Sequence, residues 1–276
     1  MPRVFREFDE QRGFGPYGTV CRTRFRRHAE TRQDAALRAR GFEYLSVLSP
    51  RRARELLCRV SADDQTTVKK GNANLRGYHL DDRARRVLLD AVLTPEVDAM
   101  LTGFFASEYL VYWISVTVTP PDPERQTVSF RWHCDKGPAA HLKLLVYLNG
   151  TPEHGGNTEF IDLADTEGVA RRGYVFGRTR HRTADVERLA RIAGRPITPR
   201  RQPLHAGDGV VFQPARVLHR GILPTHAPRY ALTLCLLPSP VHWCEALDRG
   251  VMADLNVNDK WPAHASELLT ALEIES

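Results

Sequence analysis

The sequence has no apolar run approaching the roughly 20 residues of a membrane-spanning helix. Its first residues, Met1-Pro2-Arg3-Val4-Phe5-Arg6-Glu7, carry charges with no apolar stretch behind them, so a secretory leader is not expected. Cysteine is scarce and odd in number, five in all, with no Cys-x-x-Cys pair. A disulfide framework and a zinc finger are therefore poor readings, and a reducing, cytoplasmic compartment is the expectation. Lysine contributes only five of the 39 basic residues. Aromatics are few (8%), and in the Arg-rich stretch 163–206 only Tyr174 and Phe176 interrupt the charge, which argues against a stacking platform for single-stranded nucleic acid. What is present suffices for folding. With 42% hydrophobic and 26% charged residues, 276 residues can pack one large domain or two small ones.

The net charge of +6 permits an anionic substrate or a nucleic-acid partner without demanding either. The excess is concentrated: residues 1–60 hold 14 Arg against 7 acids. Residues 1–40 read as an irregular basic arm with a Gly/Pro turn at Gly13-Phe14-Gly15-Pro16-Tyr17-Gly18. That stretch matches a dinucleotide fingerprint by letter only, because no convincing strand precedes it. From Gly41 a strand-like alternation leads into Ser49-Pro50, an N-cap with proline at the first helical position, and helical periodicity follows from Arg51 to Val60. Further helices fit Asp81 to Leu93 and the segment opened by Pro95.

From Tyr109 the character turns to β. Strands are expected at Tyr109–Val118, Gln126–His133, Leu142–Leu148, Thr158–Asp162, Gly209–Gln213, Arg216–Gly221 and Arg229–Leu237. Helices first and short strands later predict an α+β chain, a jelly roll (double-stranded β-helix, cupin-like) with N-terminal helices packed on the sheet. The expected layout is an arm at 1–40, a core domain at 41–240 and a C-terminal extension at 241–276, which could cap the barrel or make a dimer contact. Residues 163–206 form an Arg-rich insertion, with one helix at Asp185–Ala193. It reads either as a solvated loop or as a lid attracting an anionic substrate.

The chemistry concentrates at His133-Cys134-Asp135. In an extended chain residues i and i+2 share a face, so an imidazole and a carboxylate can converge on one cation while Cys134 points away. Alone the signal is weak, since chance gives about 0.7 His-x-Asp triplets in a chain of this composition. A second copy, His79-Leu80-Asp81, reads better as a helix start, and His28-Ala29-Glu30 sits in the arm. His133 and Asp135 gain weight from company. His219 lies 86 residues past His133, after Gly207-Asp208-Gly209 and an apolar run, and Arg229 lies ten residues further, opening a strand. Two His and one carboxylate with open positions suit non-haem Fe(II), and a strand-borne Arg suits a carboxylate. Zinc accepts the same ligands, and the sequence leaves that open. His226, in the polar turn before Pro228, is the rival to His219; His141, His154 and His205 compete less well.

With these residues the chain resembles the Fe(II)/2-oxoglutarate-dependent dioxygenases, over roughly residues 41–240. The stretch Leu144-Leu145-Val146-Tyr147-Leu148-Asn149, followed by Gly155-Gly156-Asn157-Thr158-Glu159-Phe160, is similar to the prolyl-hydroxylase branch. Arg229 and the helical lead-in look more like the phytanoyl-CoA hydroxylase branch. The resemblance implies Fe(II) held by His133, Asp135 and His219, with 2-oxoglutarate as cosubstrate and molecular oxygen as oxidant. It implies cosubstrate contacts at Arg229, Tyr147 and Lys143, the last being an unusual residue type for its place. Hydroxylation of a small, anionic or neutral, organic substrate is the implied outcome, and Asp135 argues against halogenation. Arg131, on the face of His133, is a candidate substrate contact or a rim salt bridge. The alternatives are oxygenation of a protein side chain or nucleic acid, and a non-oxygenase cupin-like metal-binding protein or isomerase. Trp132 and Cys235 read as core.

Overall fold

The computed structural model describes residues 1–25, 32–62, 66–68, 76–121, 128–176, 181–254 and 261–274. Helices dominate the first part: α1 (Glu7–Arg12), α2 (Phe14–Arg24), α3 (Arg32–Arg40), α4 (Pro50–Ser61), α5 (Asp82–Val92) and α6 (Pro95–Phe105). Strands β1 (Phe42–Ser46), β2 (Thr66–Val68) and β3 (Arg76–Tyr78) fall among them. Then come β4 (Glu108–Thr119), β5 (Leu142–Tyr147), the one-turn helix α7 (Thr151–His154), β6 (Asn157–Phe160), α8 (Leu163–Ala170) and α9 (Val186–Ala193). The chain closes with β7 (Asp208–Phe212), β8 (His219–Ile222), β9 (Arg229–Ser239), α10 (Trp243–Asp248), β10 (Ala253–Asp254) and α11 (Ser266–Ala271). No described helix is long and apolar enough to cross a membrane.

The helix starts follow local chemistry. The Ser49 hydroxyl accepts from Arg52 N at 3.2 Å, the Asp81 carboxylate from Ala84 N at 2.7 Å, and the Thr94 hydroxyl from Val97 N at 3.4 Å. Asp81 is therefore a cap, as its polar surroundings imply, and His79-Leu80-Asp81 is not a ligand pair. The triplet His28-Ala29-Glu30 lies outside the described residues.

Eight strands form a sheet in the order β1-β7-β5-β9-β4-β3-β2, with β10 pairing parallel to β4 and the other neighbours antiparallel. A second, two-stranded sheet joins β6 to β8. The period of two assigns each face of the large sheet. Leu142, Leu144 and Val146 of β5 and Leu232, Leu234 and Leu236 of β9 pack with Leu56, Leu88, Leu89, Met100 and Leu101 of the helices. Each such fully buried side chain contributes about 1.5–3 kcal/mol. The intervening residues, Lys143 and Leu145 of β5 and Arg229, Ala231 and Thr233 of β9, line a cavity on the opposite face. Leucines at alternate positions thus hold the helical layer and leave the other face free for chemistry.

Three expectations are corrected. Residues 7–24 are not an irregular arm: Gly13, at φ +75°, ends α1 and begins α2, and Pro16 sits in the first turn, where its missing N–H costs nothing. Phe14, Tyr17 and Cys21 on one face of α2 join Phe8, Tyr112 and Trp261 in an apolar cluster, and Tyr17 Oη donates to Pro238 O at 2.8 Å. Tertiary packing overrides the turn-like Gly/Pro composition. No strand spans 126–133 among the described residues; Val128–Phe130 is a 3₁₀ turn, and His133 makes an isolated bridge to His219. The insertion holds a helix, α8, that its composition does not announce.

Gly207 has a positive φ of 93°, and a Cβ there would lie 2.2 Å from Leu48 O. Its carbonyl accepts from Val47 and Leu48 N, and its N–H donates to Tyr147 O at 2.7 Å. Gly207→Ala is expected to destabilise by about 2 kcal/mol or more, lowering Tm by roughly 5 °C. A thermal melt checks this, and an unchanged Tm refutes it.

Candidate metal centre

Segment 131–135 is extended although it belongs to no strand. His133 and His219 exchange backbone hydrogen bonds at 3.2 and 3.0 Å, and Asp135 N donates to Pro214 O at 2.8 Å. Trp132 N and Cys134 N donate the other way, to Thr183 O and Val175 O. Alternating backbone bonds mean alternating side chains. His133 and Asp135 therefore share the cavity face, while Trp132 and Cys134 are buried with Ile161, Val169, Leu189 and Leu218.

The donor atoms of His133, Asp135 and His219 all lie within 4.8 Å of one another. His133 Nε2 is 3.5 Å from Asp135 Oδ1, and His219 Nε2 is 3.7 Å from Asp135 Oδ2. Each imidazole is oriented from behind. His133 Nδ1 meets Arg131 O at 2.7 Å and His219 Nδ1 meets Val217 O at 2.9 Å. A carbonyl only accepts, so Nδ1 carries the proton and Nε2 keeps its lone pair turned toward the carboxylate. This tautomer is the one a metal requires. Burial, with the His133 imidazole beside it, pushes the His219 imidazole down to about 3, so it is neutral. Burial pushes Asp135 up, but Lys143, the His133 hydrogen bond and both imidazoles outweigh it and hold the carboxyl well below the usual range. The set is thus two imidazoles, each anchored through Nδ1, and one carboxylate, a fit for a divalent cation with open coordination positions.

The cavity beside it has a volume of 180 Å³. Its wall includes the hydroxyl-bearing Thr117, Ser129, Thr158 and Thr233, the apolar Phe130, Leu145 and Phe212, and two cations, Lys143 and Arg229. The Arg229 guanidinium is fixed by Asn157 O at 3.0 Å, Ile222 O at 3.3 Å and Thr119 Oγ1 at 3.5 Å. No described carboxylate is ion-paired with it, and it stands 6.0 Å over the Tyr147 ring. Tyr147 Oη and Thr158 Oγ1 are 2.8 Å apart. Lys143 Nζ is 2.5 Å from Asp135 Oδ2 and 5.3 Å above the Trp113 ring.

The structure therefore gathers His133, Asp135, His219, Lys143 and Arg229 around one cavity, with Tyr147 behind Thr158. It does not bring Arg131 there: that side chain reaches Arg182 O at 3.5 Å. The sequence does not single out the cavity residues Thr117, Ser129, Phe212 and Thr233, and it gives Thr158 only as part of the stretch from Gly155 to Phe160. Thr117 and Thr233 could have been found, as polar residues at the alternate positions of apolar strands. The insertion is pinned beside the ligand segments, through Trp132 N to Thr183 O at 2.8 Å and Arg220 Nη1 to Ala184 O at 2.8 Å.

Two other buried histidines frame the site. Burial pushes His141 down to about 4, and burial followed by the Arg229 charge pushes His154 down to about 4. A histidine protonated only in the unfolded chain stabilises the fold fully above pH 6.5, and that stability is lost as pH falls toward 4. For His141 this is worth about 3 kcal/mol. Urea midpoints are expected to drop between pH 7 and 5, and less steeply in His141→Asn; parallel slopes refute the assignment.

No protein-family model and no curated protein sequence matches the chain. Solved structures do match it. The epimerase SnoN, in complex with Fe3+, alpha ketoglutarate and nogalamycin RO, is similar at TM-score 0.52 and 17% identity, over 75% of this chain and 82% of that one. The non-heme alpha ketoglutarate dependent carbocyclase SnoK, from nogalamycin biosynthesis, is similar at TM-score 0.52 and 15% identity, over 75% and 84%. EctD from S. alaskensis, with 2-oxoglutarate and 5-hydroxyectoine, is similar at TM-score 0.52 and 18% identity, over 75% and 76%. The fold is shared with these proteins.

Proposed function

We propose that this chain is an Fe(II)/2-oxoglutarate-dependent oxygenase that hydroxylates a small organic substrate. The observation that carries the reading is the pair of Nδ1-anchored imidazoles turned onto Asp135, lining one cavity together with Arg229. In this reading the two sheets form the double-stranded β-helix.

When bound, Fe(II) with 2-oxoglutarate and oxygen supplies the oxidant for a C–H bond. The chain's own residues prepare the place. His133, Asp135 and His219 hold the metal and leave positions free on the cavity side. Arg229, kept in place by two carbonyls, binds the distal carboxylate as a fork. Tyr147 and Thr158 position each other through their hydroxyls beside Arg229. Phe130, Leu145 and Phe212 keep the space dry. The cavity is open and has room for a small diacid beside the metal ligands. The Arg-rich insertion is tied beside the ligand segments, and an anionic group on the substrate would suit its charge. Oxygenation of nucleic acid draws less support, because among the described residues α1 and α2 pack into the molecule through Phe8, Phe14, Tyr17 and Cys21. Similar folds include an epimerase and a carbocyclase, so hydroxylation is the default outcome of this chemistry here and ring closure or epimerisation its variants.

The test is succinate release from 2-oxoglutarate in air by the purified protein with added Fe(II). Protein that holds Zn(II) tightly and releases no succinate points instead to the metal-binding or isomerase alternative.

A further inference from the structure

Lys143 has a partner that the metal also needs. Its Nζ lies 2.5 Å from Asp135 Oδ2, the oxygen that faces His219 Nε2 at 3.7 Å. The ammonium is steered there by the strand itself. Lys143 and Trp113 both pair with Cys235 in the β5–β9–β4 register, and the Trp113 ring lies 5.3 Å below Nζ. The lysine head and the two imidazoles thus surround one carboxylate.

A divalent ion between the imidazoles and Asp135 would face this ammonium at close range. Two cations then share one anion, and the low-dielectric cavity screens their repulsion poorly. Asp135, Lys143 and Arg229 already leave the cavity with one net positive charge. A divalent ion alone adds two more. A dianionic 2-oxo acid removes them again and offers Lys143 a second carboxylate within the same cavity. Metal and dianion therefore relieve each other's cost.

We propose that Lys143 couples metal binding to cosubstrate binding: by holding Asp135 it weakens the site for metal alone and makes it strong only when the diacid is present. This deepens the oxygenase reading and rests on it. Thermodynamic linkage makes the effect reciprocal, so metal strengthens diacid binding by the same factor.

The test is Mn(II) affinity by titration calorimetry, with and without 2-oxoglutarate, in the wild type, Lys143→Met and Lys143→Gln. Melting curves verify that each variant is folded. In the wild type 2-oxoglutarate is expected to tighten Mn(II) binding at least tenfold. In both variants Mn(II) alone is expected to bind about tenfold tighter than in the wild type, and the gain from 2-oxoglutarate is expected to shrink. Variants that bind Mn(II) alone equally or more weakly than the wild type overturn the proposal while leaving the oxygenase reading intact. Failure of wild type and variants alike to bind Mn(II) overturns the reading of the site itself. Mn(II) binding confined to the variants supports the proposal in its strongest form.

Discussion

His133→Ala is expected to lower 2-oxoglutarate-dependent succinate release by on the order of 10²-fold or more, whereas His79→Ala stays within about twofold. The contrast matters because both residues begin a His-x-Asp triplet. In the first, His133 Nδ1 is tied to Arg131 O and Nε2 faces Asp135 at 3.5 Å. In the second, the aspartate is spent as a helix cap on Ala84 N, so no carboxylate is left for the histidine to share. Removing one of three ligands drops the metal rather than merely slowing it, so Fe(II) binding should fail together with turnover. His219→Ala should behave like His133→Ala, and His226→Ala should not, since His226 lies outside the donor cluster. Equal activity of His133→Ala and His79→Ala defeats the site assignment.

How much of this could be read beforehand varies with the kind of signal. The helices from Pro50 to Phe105 were legible because caps and apolar periodicity agree at each one. Strands β4, β5, β7 and β9 were legible from β-branched and leucine-rich runs stopped by turns. The N-terminal helices were not. Their Gly/Pro content argues locally for a turn, and only contacts with Trp261 and Tyr112, distant in sequence, give α2 its buried face. Arg12 shows the same dependence, donating to Pro262 O at 2.7 Å. Such long-range partners leave no trace in a local window.

The site itself was legible as residues but not as a surface. The i, i+2 argument placed His133 and Asp135 on one face, and it survives although segment 131–135 is no regular strand, because the backbone bonds of an extended segment still alternate. Lys143 and Tyr147 followed from parity along β5. Arg131 did not: the same parity aimed it at the cavity, but its long side chain turns to a carbonyl of the insertion. Thr158 stands in the stretch from Gly155 to Phe160, but its role shows only through Tyr147, from which a turn and a short helix separate it. The ion pair of Lys143 with Asp135 needed coordinates, since seven residues lie between them and no local pattern pairs them.

Arg229 yields the second large effect. Arg229→Met is expected to raise KM for 2-oxoglutarate on the order of 10²-fold, about 2.7 kcal/mol, with kcat at saturation within about threefold. The reasoning is geometric. Two backbone carbonyls and Thr119 already orient the guanidinium, and no described carboxylate neutralises it, so a diacid gains a pre-oriented cation in the cavity that Asp135 also lines. Arg229→Lys keeps the charge but loses the fork, and an intermediate rise of about tenfold is expected. A structural artefact is separable from a lost contact. Loss of the Asn157 and Ile222 bonds could loosen the β6–β8 pair, but that would penalise every 2-oxo acid alike. A lost carboxylate contact instead erases discrimination, so the preference for 2-oxoglutarate over a 2-oxo monoacid of equal length should collapse in Arg229→Met and partly return in Arg229→Lys. If Arg229→Met keeps that preference, the distal carboxylate is held elsewhere, and Lys143, the other cation lining the cavity, becomes its partner in place of the role assigned above.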